Sequence, residues 1–189
     1  MITGAAKRRL RPWRGHAIAL LSVLAFSHLA VVWALPRVIM AKLAANAPPE
    51  TRVPGTVHLP PMTDHTQRRV VLPSPDLLYA TCAFDLSRGP WRIRADPKAP
   101  HYWSIALYAA NSDNFFVVND RQAAGAPVDL ILVGPNTPGA VAESSAQQRR
   151  VRAPSDRGLL LMRLLVSDYS MEAQVLDAAR RSLRCDPLS

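Results

Sequence analysis

The chain has 189 residues, 49% of them hydrophobic, and a net charge of +9 from 23 Lys or Arg against 14 Asp or Glu. That length suits one domain plus an appendage, with enough apolar side chains to build a core. Seven of the basic residues and none of the acidic ones fall within residues 1–42, leaving the remainder at +2; a nucleic-acid footprint needs basic residues clustered on a folded domain, so nucleic acid is not an expected partner.

The first predicted element is a membrane anchor. After the basic stretch "KRRLRPWR" comes "AIALLSVLAFSHLAVVWAL", Ala17 to Leu35, an uncharged apolar run of about the length that crosses a bilayer core as a helix. Lys7, Arg8, Arg9, Arg11 and Arg14 precede it and place residues 1–16 as a cytoplasmic tail, with the following domain on the other side of the membrane. Trp13 and Trp33 sit near its two ends, where indole rings favour the interface. The alternative is a cleavable signal peptide, because "ANA", Ala45 to Ala47, has a small-x-small pattern; that site lies well past the apolar core, and the run exceeds a usual signal h-region. His28 is the one ionisable group in the span and reads as a neutral imidazole bonded to a carbonyl or facing another helix.

Residues 36–65 read as a linker. Pro48, Pro49, Pro54, Pro60 and Pro61 deny the backbone ladder bonds and favour extended conformations. His58, Asp64 and His65 fall here and lack the close ligand spacing of a zinc site, so no metal is expected.

Residues 66–189 form the extracytoplasmic domain. "LLYATCAFDL" alternates, placing Leu78, Ala80, Cys82, Phe84 and Leu86 on one face and Tyr79, Thr81 and Asp85 on the other. "WRIRA" alternates in the same way. "HYWSIALYA" divides into Tyr102, Ser104, Ala106 and Tyr108 against His101, Trp103, Ile105 and Leu107. It joins "NFFVVND" through "ANSDN", whose Asn and Asp side chains favour a turn. "VDLILVGP" and "RGLLLMRLLV" add two strands apolar enough to be buried. Short strands separated by Gly and Pro turns predict a mainly β domain, an antiparallel sandwich or barrel-like fold. A C-terminal α-helix closes it: "SMEAQVLDAARRSLRC" spaces Met171, Val175, Leu176, Ala179 and Leu183 along one stripe, with Ser170 as N-cap and Arg180, Arg181 and Arg184 complementing the helix dipole. Pro187 ends it.

The runs "SPDLLYATCAFDLSRGPWRIRAD", "HYWSIALYAANSDNFFVVNDRQAAG", "DLILVGPNTPG", "RVRAPSDRGLLLMRLLV" and "AARRSLRCDPLS" resemble the family called domain of unknown function 1254. The strongest pieces are Asp76, Leu78 and Tyr79, then "FDLSRGP" from Phe84 to Pro90, Asn114 with Phe115, "VGP" from Val133 to Pro135, "APS" followed by Arg163, and the terminal "PLS". The resemblance implies a β-rich domain often joined to, or encoded beside, a second one, domain of unknown function 1214. The chain looks like the short, inner-membrane-anchored form, which implies a single-pass bacterial inner membrane protein with a periplasmic domain and a separate companion carrying domain 1214. Larger members resemble one another in an asparagine where this chain has Ser74, a threonine at Leu77 and an arginine at His101, so a polar pocket shared by the family would be less polar here.

Nucleophile elbows, metalloprotease helices, phosphate loops and dinucleotide glycine patterns are absent, and no cofactor is expected. The candidate ligand-binding cluster is Asp76, Tyr79, His101, Tyr102, Asn114 and Arg163. Arg163 interrupts "LLLMRLLV", and a buried guanidinium requires a carboxylate or several carbonyls; Asp76 and Asp85 are the acids at hand. Either they form an ion pair that fixes sheet register, or Arg163 reaches solvent from an edge strand, or Arg163 and Tyr79 shape a pocket for a carboxylate or other anion. Cys82 and Cys185 form a disulfide in an oxidising compartment, or Cys82 is a small buried hydrophobe. Two function classes follow: a membrane-anchored interaction module that assembles with a companion, or a small-ligand or hydrolytic domain built near Tyr79, His101 and Arg163.

Overall fold

Residues 10–46, 52–64, 66, 73–137 and 148–188 are described by a computed structural model. The sequence features at Lys7, Arg8, Arg9, Ala47, Pro48, Pro49 and His65 lie outside them. Two units divide the chain, residues 1–39 and 40–189.

The uncharged apolar run lies within helix α1, Leu10–Asn46, and its portion Trp13–Ala45 is long and apolar enough to cross a membrane. At 1.5 Å per residue those 33 residues reach about 50 Å, more than the roughly 30 Å of a hydrocarbon core. The helix runs on beyond the apolar run that ends at Leu35 and continues through Pro36. Proline leaves the carbonyl four residues earlier, that of Val32, without its usual donor. One residue on, Arg37 Nη1 donates to the Trp33 carbonyl at 2.5 Å and the guanidinium lies 4.1 Å over the Trp33 ring, so a side chain reinforces the backbone where the helix is weakest.

Among the described residues nine strands follow: β1 Val57–His58, β2 Leu77–Asp85, β3 Trp91–Ala95, β4 Trp103–Ala109, β5 Asn114–Asn119, β6 Val128–Val133, β7 Arg149–Arg152, β8 Arg157–Leu165 and β9 Arg184–Pro187. They make a five-stranded sheet in the order β1-β2-β8-β4-β5 and a four-stranded sheet in the order β7-β6-β3-β9. The domain is mainly β, as expected, and its core draws on both sheets, with Leu78, Phe84, Ile105, Leu107, Leu160, Met162 and Leu164 from one and Trp91, Ile93, Leu130, Leu132 and Cys185 from the other. All pairs are antiparallel except β6 with β7, which run parallel.

Alternation fulfils its prediction in β2, where every second residue from Leu78 is buried, and in β3. It fails in β4: Trp103 to Leu107 are all buried, because its outward residues there, Ser104 and Ala106, are small and stand between the larger Arg163 and Asn119 and between Leu161 and Val117. The turn between β4 and β5 uses Asn and Asp as expected, with Asp113 N donating to Asn111 Oδ1 at 3.3 Å and Asn111 Nδ2 donating to Asp113 Oδ2 at 2.5 Å.

Part of the expected linker belongs to the domain. Val57 and His58 pair with Cys82 and Thr81, Gly55 N donates to the Ala83 carbonyl at 2.9 Å, and Thr63 Oγ1 donates to the Ser74 carbonyl at 2.9 Å. Gly55 adopts φ 92°, a left-handed conformation open to glycine, as the chain turns into the sheet edge.

The C-terminal helix is also redrawn. After β5, a one-turn helix α2, Asp120–Ala123, is closed by a capping box between Asn119 and Gln122. The last helix, α3, spans Tyr169–Arg181, with Asp168 rather than Ser170 as N-cap. Its predicted stripe splits: Leu176 and Ala179 are buried, whereas Met171 is 82% exposed. Leu183 and Cys185 stay buried beyond the helix end, because Arg184–Pro187 leaves the helix to add β9 to the second sheet, and Pro187 ends that strand. Cys82 on β2 and Cys185 on β9 are bonded, with Cα atoms 6.7 Å apart, so the bridge staples one sheet to the other.

Candidate functional site

Strand register gathers the predicted residues on the face of the five-stranded sheet that points away from the core. Tyr79 lies opposite Arg163, Arg163 opposite Ser104 and Ser104 opposite Asn119. The next row is Thr81, Leu161, Ala106 and Val117, and the row beyond is Ala83, Leu159, Tyr108 and Asn114. On the other side of Arg163, Leu77 faces Leu165, and Leu165 N donates to the Tyr102 carbonyl at 2.8 Å. These residues alternate with the buried Leu78, Ala80, Cys82, Leu160, Met162 and Leu164, so their side chains share the opposite face.

Of the predicted cluster, Tyr79 and Arg163 are adjacent, and Tyr102, 42% exposed, stands at one end of the same face. Asn114 is on that face too, two rows from Arg163, which is about 13 Å along the strands. Asp76 is exposed and gives only its backbone carbonyl, to Val166 N at 2.9 Å. His101 is drawn away: its Nε2 lies 2.7 Å from Glu172 Oε1, and Glu172 Oε2 accepts from Ser167 N at 3.3 Å. The hydrogen bond with His101 holds the Glu172 carboxyl below its ordinary pKa. The pair clamps the entry to β4 onto the first turn of α3, a structural use of the one histidine singled out by sequence.

The anticipated ion pair between Arg163 and an aspartate is not formed. Asp85 accepts from Arg157 Nε at 3.0 Å and from Ser87 N at 3.0 Å, and these bonds, Ser87 foremost, keep its carboxyl below the ordinary range. Register is the reason, since Asp85 pairs across from Arg157, six residues along the strand from Tyr79, or about 20 Å. Among the described residues, no hydrogen bond or ion pair engages Arg163, and its Nε is shut off from solvent without a partner. Tyr79 is committed through its hydroxyl, which accepts from Ser74 N at 3.0 Å.

Sequence reasoning passed over two residues. Ser104 is 0% exposed with its Oγ unpartnered; period-two alternation already placed it on the Tyr102 face, but a serine inside an aromatic run gives no sign of burial. Arg180, read as a dipole-complementing surface residue, is 7% exposed. Its Nε donates to Asp177 Oδ1 at 2.6 Å, and its Nη1 donates to the carbonyls of Pro60 and Tyr79 at 2.5 and 3.4 Å. A surface depression of about 310 Å³ is lined by Val57, Leu59 and Arg181, and another of about 230 Å³ by Trp103, Asp96 and Asp120; none of the six predicted ligand residues lines either.

A family model described as "Protein of unknown function (DUF1254)" matches residues 55–187. No curated protein matches the chain. Among solved structures, the VPA0106 protein of Vibrio parahaemolyticus is similar in fold, with a TM-score of 0.64 at 15% identity, over 85% of this chain and 37% of that one. An uncharacterised protein of Burkholderia cenocepacia aligns with a TM-score of 0.44 at 18% identity, over 91% of this chain and 52% of its own. The chain thus spans about a third of the first and half of the second.

Proposed function

Because the chain belongs to the DUF1254 family of proteins of unknown function, we propose that it is a membrane-anchored assembly module that joins a companion envelope protein bearing domain 1214. The outward face of β8 carries this reading. An antiparallel sheet with one face on the core turns polar residues outward, yet β8 turns out Leu159, Leu161 and Leu165 beside Arg163, none of them fully buried. Such a face on a small domain marks an interaction surface.

Three further observations support it. An apolar helix long enough to cross a membrane precedes the domain. The disulfide between Cys82 and Cys185 suits an oxidising compartment, hence a periplasmic domain on an inner-membrane anchor. The Vibrio protein, with which 37% of its chain is shared, has more than half its length left to hold other parts.

Purification of the full chain from detergent-solubilised membranes of its native host tests the proposal. A companion with domain 1214 at one-to-one stoichiometry is the expected result. Recovery of the chain alone, monodisperse under mild detergent, would overturn it.

A further inference from the structure

Arg163 is the only cation in the rows that run from Leu77 and Leu165 to Ala83 and Leu159 on the outward sheet face. Its Nε is buried without a partner, and Ser104, directly across from it and 0% exposed, also has an unpartnered hydroxyl. Of the two acids anticipated for it, Asp85 pairs with Arg157 six residues along the strand, and Asp76 engages Val166 N through its backbone carbonyl; Glu172 pairs with His101, and Asp177 with Arg180 and Arg181. A guanidinium half-sunk among leucines, with no partner among the described residues, leaves a charge to be answered from elsewhere, since buried polar atoms normally find partners.

We infer that this face docks a partner protein that lowers an Asp or Glu carboxylate onto Arg163, inside an apolar frame of Leu161, Leu165 and Val117. This rests on the assembly role proposed above and names its contact. The planar guanidinium takes a carboxylate in two parallel bonds, a geometry lysine cannot copy. A second copy of the chain fits poorly, because a two-fold contact centred here sets Arg163 against its own symmetry mate. A lipid surface fits poorly as well, because membrane-docking faces sink apolar groups centrally and hold cations at the rim for headgroups; here the cation is central.

The test places a photo-crosslinking amino acid at Leu161 of the full chain in native-host membranes, with Arg94 on the other sheet as control site. Position 161 is expected to give an adduct with one partner protein, through a peptide containing an acidic residue, and position 94 none. Arg163→Met is expected to reduce the adduct at least about tenfold, Arg163→Lys to reduce it in part, and Arg163→Asp to be rescued by reversing the partner's acid to arginine. If Arg163→Met fails to fold, as judged by protease resistance, Arg163→Lys and the charge-swapped pair decide. An adduct of undiminished yield in the Arg163 variants would overturn the carboxylate contact while leaving assembly standing. So would a companion that copurifies without any adduct at position 161. Adducts only with a second copy or with phospholipid would overturn docking of a partner protein on this face.

Discussion

Arg180 and Arg163 both lie partly or wholly inside the domain, but of the two only Arg180 has its charge answered among the described residues. Its guanidinium holds Asp177 and two carbonyls, tying α3 to β2 and to the segment at Pro60. Arg180→Met should therefore strand the Asp177 carboxylate with Arg181 alone and leave the Pro60 carbonyl without its donor, costing about 3 kcal/mol. Arg163→Met removes a group with no partner among the described residues and should leave stability within about 1 kcal/mol of wild type, or raise it. Denaturant unfolding of the full chain in detergent compares the two; a large loss from Arg163→Met would mean that the chain itself neutralises that charge. Gly158 is a second steric limit. A Cβ there would overlap the Tyr108 carbonyl and the Phe84 ring, and since a β-sheet backbone cannot yield locally, Gly158→Ala should cost about 2 kcal/mol by overpacking, read in the same unfolding experiment.

At the scale of elements, the bond between β2 and β9 closes a loop of 103 residues, and a cross-link over that length removes unfolded-chain entropy worth about 2–5 kcal/mol. Cys185→Ala, or reduction, should lower the melting temperature by roughly 10 °C, checked by differential scanning calorimetry with and without reductant. On the second sheet, Asp129 accepts from Arg92 Nε and Nη2 at 3.0 and 2.6 Å, and this pairing, Arg92 first, holds its carboxyl below the ordinary value. A depressed folded pKa contributes stability above the unfolded value and loses it as pH falls through the folded one. Acidification below the ordinary aspartate range should therefore steepen unfolding of wild type more than of Asp129→Asn, seen as a flatter acid limb in melting temperature against pH. How far such elements were readable depended on where their information lay. Residues 77–85 declared themselves because they alternate and bury every second side chain, whereas 157–165 was legible as an apolar run, and its alternation is in burial rather than in composition. Val57–His58, Arg149–Arg152 and Arg184–Pro187 are too short to show a period, and they exist as strands because longer neighbours supply their hydrogen bonds. Pro187 was read as a helix stop by local rules, yet it ends a strand, and Pro36 sits inside α1, where Arg37 reinforces the helix. The candidate site was half legible for the same reason: Tyr79 and Arg163 were visible as odd residues in apolar strands, while the register that parts Arg163 from Asp85 is a non-local quantity no local pattern contains.

At the scale of the whole molecule, charge and covalent chemistry both support the orientation proposed above. Lys7, Arg8, Arg9, Arg11 and Arg14 precede the uncharged run, whereas Arg37, Lys42 and Arg52, with Glu50 among them, follow it. Five positive charges against three favour retention of the amino-terminal side in the cytoplasm, and a disulfide between the two sheets suits an oxidising compartment on the other side. Alkaline phosphatase folds only where its own disulfides form, so a fusion of it to the carboxyl terminus in a bacterial host should be active, and a fluorescent-protein fusion that matures only in the cytoplasm should be dark. Replacing the five leading basic residues with glutamine should shift part of the population to the inverted state, lowering phosphatase activity and raising fluorescence together. In that inverted fraction the domain meets a reducing compartment, so its cysteines should become alkylatable without prior reduction. An active phosphatase accompanied by freely alkylatable cysteines would break the link between orientation and the sheet-to-sheet bond.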